Sequence, residues 1–306
     1  MGFVLLWLSM WGSLGLGYWL TLLLAVPAAG FLVRLFIIQH DCGHGSLFRS
    51  RLANDLVGRV IGVLTLTPYD YWRRTHAIHH ATSGNLDRRG IGDIEILTVR
   101  EFQALPRWRQ FVYRCYRHPL VLFGLGPAYL FILKHRLPLD LPLRHRGPWL
   151  SILATNAAIV GLVASMTLIV GIGEFAKVQL PLILLSSTAG VWLFYVQHQY
   201  EDAYWKRERN WSFYQAALLG SSYYRLPKFL QWITANISVH HVHHLNSKVP
   251  NYRLQECLER VPELNRARRI TFIESLKCAS LSLWDEDSQI MIRFRDLKRK
   301  YAMSAA

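Results

Sequence analysis

The chain has 306 residues, is 52% hydrophobic and carries a formal net charge of +15. That pairing sets it apart from soluble enzymes and suits a membrane protein whose basic loops face an anionic leaflet. Nucleic-acid binding is set aside because the basic residues lie between apolar stretches and form no recognition motif. Four scattered cysteines without a CxxC argue against a disulfide framework or a zinc ribbon.

Residues 1–33 contain no charged side chain, roughly 50 Å if helical against a bilayer core of about 30 Å. The glycine-rich run at 12–17 breaks this stretch and leaves a span over 18–39. The apolar piece before it is too short to cross. It either lies at the interface or is the remainder of a longer span with Met1 as an internal start. A cleaved signal peptide is set aside, since no basic n-region precedes the small residues at 25–30. Residues 56–67 and 119–133 are apolar but interrupted by Gly, Pro or Arg, and read as interfacial or re-entrant. Uncharged spans at 147–173 and 178–197, joined by 171–177, should form an antiparallel pair. Beyond His244, residues 254–269 and 271–300 mix apolar and charged residues as amphipathic cytosolic helices do.

The expected fold is an all-α integral membrane protein with about four transmembrane helices, the first hairpin incomplete, under a cytoplasmic helical cap. The chain reads as one domain, 1–306. It comprises an N-terminal membrane segment (1–39), an interfacial region (40–146), a transmembrane hairpin (147–197) and a second cytoplasmic region (198–306). With 18–39 as the first span, 33 of the 35 Lys and Arg residues fall on one side, Arg34 lies within the span toward that side, and only Lys177 falls on the other. The positive-inside rule makes that side the cytoplasm.

Eight of the 13 histidines fall in three clusters on that side: His40 and His44 (HDCGH), His76, His79 and His80 (HAIHH), and His240, His243 and His244 (HHVHH). Residues three or four apart share a helix face, so each box can aim its imidazoles at one point. A lone HxxxH is usually an exposed face or a satisfied pair; three boxes on one side reverse that reading. Eight ligands exceed the needs of one tetrahedral zinc, which points to two metal ions. His198 closes the last span at the same depth and is a candidate ninth ligand. His241 should point off the shared face, Cys42 reads as a packing residue, and His118, His135 and His145 read as ordinary interfacial histidines. Neither Glu-x-x-His nor HExxH occurs, so the site is neither a carboxylate-bridged bundle centre nor a zinc-protease site. Asp41, Asp87, Asp93, Asp202 and Asn236 are candidates to orient the rings.

The segments HDCGHGSLF, HAIHHATSGNLDRRGIGD and HHVHHLNSKVPNYRL resemble the membrane fatty acid desaturases, and most closely the bacterial acyl-lipid Δ12/omega-6-like branch, over about residues 31–254. The N-terminus departs from the pattern, since relatives have a fuller first hairpin. The resemblance implies a di-iron centre that uses O2 and two electrons to remove two hydrogens from an acyl chain. Its ligands would be His40, His44, His76, His79, His80, His240, His243 and His244, with His198 as the additional histidine of such enzymes. It also implies an acyl-lipid or acyl-thioester substrate and a separate ferredoxin or cytochrome b5-like donor, since no His-Pro-Gly-Gly motif marks a fused haem domain. Arg73, Arg74, Arg88 and Arg89 are candidate donor contacts. Trp72, Tyr195 and Trp232 are candidates to line an acyl channel or to anchor at the interface. A hydroxylase or carotenoid ketolase on the same scaffold is the alternative, and a non-enzymatic metal transporter a distant one. The expected location is an integral (inner, if bacterial) membrane, with the boxes facing the cytoplasm.

Overall fold

The computed structural model describes residues 1–137 and 146–297; His145 lies outside the described residues. The first half holds α1 (Gly2–Ser13), α2 (Tyr18–His44), α3 (Arg51–Leu64), α4 (Tyr69–Thr82), α5 (Val99–Ala104) and α6 (Arg107–Tyr116). Then comes α7 (Gly126–Ala128), a short α-helical stretch between two π-helical turns. The second half holds α8 (Arg146–Val170), α9 (Ile172–His198), α10 (Phe213–Leu219), α11 (Lys228–Ile233), α12 (His240–Leu245), α13 (Leu254–Arg260) and α14 (Phe272–Cys278). Strand β1 (Leu97–Thr98) runs parallel to β4 (Leu283–Asp285), which pairs antiparallel with β5 (Ile290–Ile292). Strands β2 (Tyr223–Arg225) and β3 (Arg269–Thr271) form a second, parallel pair.

Three helices, α2, α8 and α9, are long and apolar enough to cross a membrane. Helix α1, the apolar piece read as too short to cross, has 12 residues, about 18 Å at 1.5 Å per residue and well short of a bilayer core. The connection expected over 171–177 contracts to a single residue, Gly171, with φ +83. Helix α9 therefore starts at Ile172 and carries Glu174 and Lys177 in its opening turns, where they pair at 2.7 Å.

The chain divides into two compact units. The first comprises residues 1–74, 124–191 and 229–236. Its core joins Met10 of α1, Ala25, Ala28, Ala29 and Leu32 of α2, and Val178 and Leu182 of α9. The alanines form a small-residue strip on which neighbouring helices approach closely. Trp7 donates to Gln179 at 3.2 Å and Trp11 stacks on Phe175, so α1 packs over the start of α9. Helix α3 is amphipathic: Leu52, Leu56 and Val60 are exposed along one stripe, while Asn54, Gly58, Ile61 and Gly62 are buried. A Cβ on Gly58 would sit 2.2 Å from the ring of Tyr69, so glycine admits that ring, whose hydroxyl donates to the Cys42 carbonyl at 2.8 Å.

The second unit comprises residues 75–123, 192–228 and 237 onward. Val99, Phe102, Tyr113, Leu283, Ile292 and Leu297 form a core in it. The long amphipathic helices expected after residue 254 are instead two short helices and a β-hairpin. The sequence Leu-Trp-Asp and Ile-Met-Ile flanks a turn closed by Asp285, whose carboxylate accepts from the Asp287 N–H and the Ser288 hydroxyl. A residue that supplies its own turn hydrogen bonds competes with helix continuation.

Candidate metal centre

Within the second unit, the last turn of α9, the end of α4 and the short helix α12 bring histidines together. Helix α9 ends at His198, and the Gln197 side chain beside it donates to the Ile237 carbonyl at 3.0 Å. That carbonyl lies just ahead of box three. The Ser222 N–H donates to the Gln197 carbonyl and the Tyr224 N–H to the Ser238 carbonyl, both at 2.9 Å. The chain entering α12 is thereby fixed to the end of α9 by one side-chain amide and by backbone bonds.

His79, His198, His240 and His244 form one cluster, all buried, with ligand nitrogens within 4.8 Å of one another. The Nε2 of His198 lies 3.2 Å from that of His79 and 2.9 Å from that of His240, which lies 3.1 Å from that of His244. The outward nitrogens set the tautomers. His79 Nδ1 faces the Asp93 carboxylate at 2.5 Å, and His198 Nδ1 faces the Gly220 carbonyl at 3.3 Å. Both partners only accept, so each Nδ1 bears a proton and each Nε2 presents a lone pair to the other. Lone pairs converging in a buried space repel unless a cation lies between them, and neutral imidazole is the form that ligates metal. Burial, reinforced by His80, His240, His198 and His79, holds His244 well below the usual histidine range, which keeps it neutral too. The donor set therefore fits a metal ion that accepts nitrogen ligands.

His76, His80 and His243 form a second group in the same unit. His80 Nε2 lies 3.1 Å from that of His76 and 3.0 Å from that of His243. Boxes two and three are thus each split, which corrects the expectation that one box aims at one point. His79 joins His240 and His244, while His76 and His80 join His243. In the first unit, the rings of His40 and His44 stand 4.7 Å apart at the end of α2. His40 Nδ1 is 3.2 Å from Asp41 Oδ1, and its ring meets Trp72. Gly43 leaves room for that indole, since a Cβ there would sit 2.8 Å from it.

The remaining expectations divide. His241 lies outside the four-histidine cluster, fully buried beside Tyr223. His118 is exposed, but His135 is buried against Tyr71 and Phe131 and is no surface histidine. Asp93 and Asp41 meet histidines as anticipated; Asp87 pairs instead with Arg207 at 2.8 Å, and Asp202 lies 3.7 Å from Arg268. Asn236 takes a left-handed φ of +57 in the turn after α11. Arg73 pairs with Asp55 and Asp70, Arg88 with Glu208, and Arg89 with Glu101. Tyr195 is fully buried, its hydroxyl 2.8 Å from the carbonyls of Cys278 and Leu281, and it lines a small cavity together with His79, His198 and Asp93.

One contributor escaped the sequence reading. Arg117, fully enclosed, donates to the carbonyls of Glu95 (3.0 Å) and Leu281 (2.7 Å), the Gln199 side chain (2.6 Å) and the Tyr195 hydroxyl (3.2 Å). Gln199 in turn donates to the Ile94 carbonyl at 3.0 Å. The residues after Asp93 and those flanking His198 are thereby tied to one guanidinium. An arginine in a basic loop offers no pattern that foretells such a role.

Comparison with known proteins agrees with this geometry. The profile described as "Fatty acid desaturase" matches residues 4–275. A protein named "Fatty acid desaturase" from Bacillus subtilis is 48% identical over 293 residues, covering 96% of this chain and 83% of its own. An "sn-1 acyl-lipid omega-3 desaturase (ferredoxin)" from Synechocystis is 30% identical, covering 74% of this chain and 63% of its own. An "sn-1 oleoyl-lipid 12-desaturase" from Anabaena variabilis is 26% identical, with 81% and 73% covered. With a profile match across most of its length, three apolar helices and clustered histidines, the chain belongs to the fatty acid desaturase family.

Proposed function

We propose that this oxidoreductase is an acyl-lipid desaturase that holds two iron ions on nine histidines. The observation that carries the reading is the convergence of the His79 and His198 Nε2 lone pairs with their Nδ1 protons held outward. His79, His198, His240 and His244 would hold one iron. His76, His80 and His243 would hold the other, and His40 and His44 are assigned to it on the family's first box. The chain is read as one catalytic domain, with the boxes on the cytoplasmic side that its basic residues favour.

The reaction converts –CH2–CH2– plus O2, two electrons and two protons into –CH=CH– plus two waters. Iron, when bound, would supply the oxidising power that unactivated C–H bonds require. The protein's share is positional. Asp93 and the Gly220 carbonyl fix two ring orientations, burial holds His244 neutral, and the Arg117 network holds the segments that carry His79 and His198. Adjacent methylenes are chemically alike, so the position of the double bond depends on how far the chain is admitted. Electrons would come from a separate ferredoxin or cytochrome b5-like protein; the Synechocystis relative's name mentions ferredoxin. The arginines already in ion pairs are poor candidates for its landing site.

Expression in a host fed defined acyl chains, with lipid mass spectrometry, tests the proposal. Loss of two mass units in wild type and in His118→Ala, with no change in His79→Ala, is expected. A gain of sixteen would favour the hydroxylase alternative. Full activity in His79→Ala would refute the ligand assignment.

A further inference from the structure

Helix α2 carries one basic residue, Arg34, in an otherwise apolar run. A cation at that place calls for a partner, and among the described residues no carboxylate pairs with it. Its Nη1 donates to the Trp232 carbonyl, and its guanidinium lies 4.5 Å above the Trp232 ring. Phe31, one turn earlier, meets the same indole edge to face at 5.7 Å. Carbonyl and ring engage only part of a five-donor group. The guanidinium is partly exposed, Trp232 is 49% exposed and Phe229 of the same short helix is 68% exposed.

Depth identifies what these donors would meet. The uncharged residues 18–33 of α2 extend about 24 Å, most of a hydrocarbon core of about 30 Å. Arg34 thus comes where acyl chains give way to ester and phosphate groups, the level that tryptophan also favours. The remaining ten residues of α2 rise about 15 Å further and carry His40 and His44. An arginine fork matches phosphate oxygens bidentately.

We infer that Arg34, steadied by Trp232, binds the phosphate of a membrane phospholipid and so holds the substrate's head group while its acyl chain is presented to the histidines. The inference rests on the acyl-lipid reading above. The same phosphate could belong to a bystander lipid, so binding and turnover are measured separately.

The full chain would be reconstituted in phosphatidylcholine vesicles. Spin-labelled phosphatidylglycerol and a diacylglycerol with the same labelled chain would be compared by electron paramagnetic resonance. Wild type is expected to prefer the phospholipid about tenfold, the size of one charge-assisted contact, and Arg34→Gln to lose that preference with its metal content unchanged. Equal binding of both probes by wild type, a measurement that needs no variant, overturns the site. So does an undiminished preference in folded Arg34→Gln. In turnover, Arg34→Gln should raise the phospholipid fraction for half-maximal rate about tenfold and leave kcat unchanged. An unchanged half-maximal fraction assigns the phosphate to a bystander and overturns the substrate role. A wild type that prefers phospholipid but forms no double bond refutes the desaturase reading alone, while desaturation without preference refutes this inference alone.

Discussion

Asp93→Asn is the most direct probe of the four-histidine cluster. The Asp93 carboxylate accepts the His79 Nδ1 proton, and its second oxygen faces the Gly90 N–H at 3.4 Å. Asparagine preserves the volume but removes the charge, and it can rotate an N–H toward the ring. Rotation in that sense drives the proton to Nε2 and removes the lone pair that faces His198. Losing a carboxylate partner of a ligating histidine costs about 10–100-fold in metal affinity, or roughly 1.4–2.8 kcal/mol at 1.4 kcal/mol per tenfold. Competition against a graded series of chelators, read as iron retained per chain, measures this without turnover. The fold should be spared, because Asp93 lies in a loop and Arg117 still holds the neighbouring Glu95 carbonyl. Iron retention equal to wild type would refute the tautomer argument.

Two further predictions concern stability. His135 is buried, and burial beside Arg136 holds it down to about 3. Its folded state stays neutral while an unfolded histidine protonates near 6.5, so stability is present above pH 6.5 and lost as pH falls toward 3. About 1 kcal/mol should disappear between pH 7 and 5.5; unfolding in detergent at both values checks this, and His135→Gln should flatten the slope. Gly92→Ala puts a Cβ 2.8 Å from the Thr75 carbonyl at φ +76, which should cost about 1–3 kcal/mol. A melting temperature unchanged from wild type would show that the loop relaxes freely.

The sequence makes the histidines conspicuous because helical spacing is periodic, so candidate ligands could be picked out by position alone. How they divide was hidden. His76 and His80 are one turn apart, and the division depends on α12, whose His243, 163 residues after His80, brings its Nε2 within 3.0 Å of that of His80 while His240 and His244 join His79. The spans at α2, α8 and α9 were readable from missing charge, whereas the single-residue junction at Gly171 was not, since Glu174 and Lys177 mimic a loop until they pair within the helix. The β-hairpin after Leu281 was missed because its strands are too short for alternation to register. Gly220 gave no signal, because a carbonyl oxygen is common to every residue.

The loop over residues 88–93 has a consequence for the timing of metal exchange. It is largely exposed, turns through Gly90 at φ +112 and Gly92 at φ +76, and delivers the carboxylate that fixes His79. Exposed loops open far more often than cores unfold. Iron would therefore escape, and enter, at the frequency with which this loop lifts Asp93 away, long before the helices around it separate. On the proposed iron-binding reading, the lifetime of the loaded state would then be set by two glycines and a few exposed residues, and a chelator would meet first-order release whose rate does not depend on its own concentration.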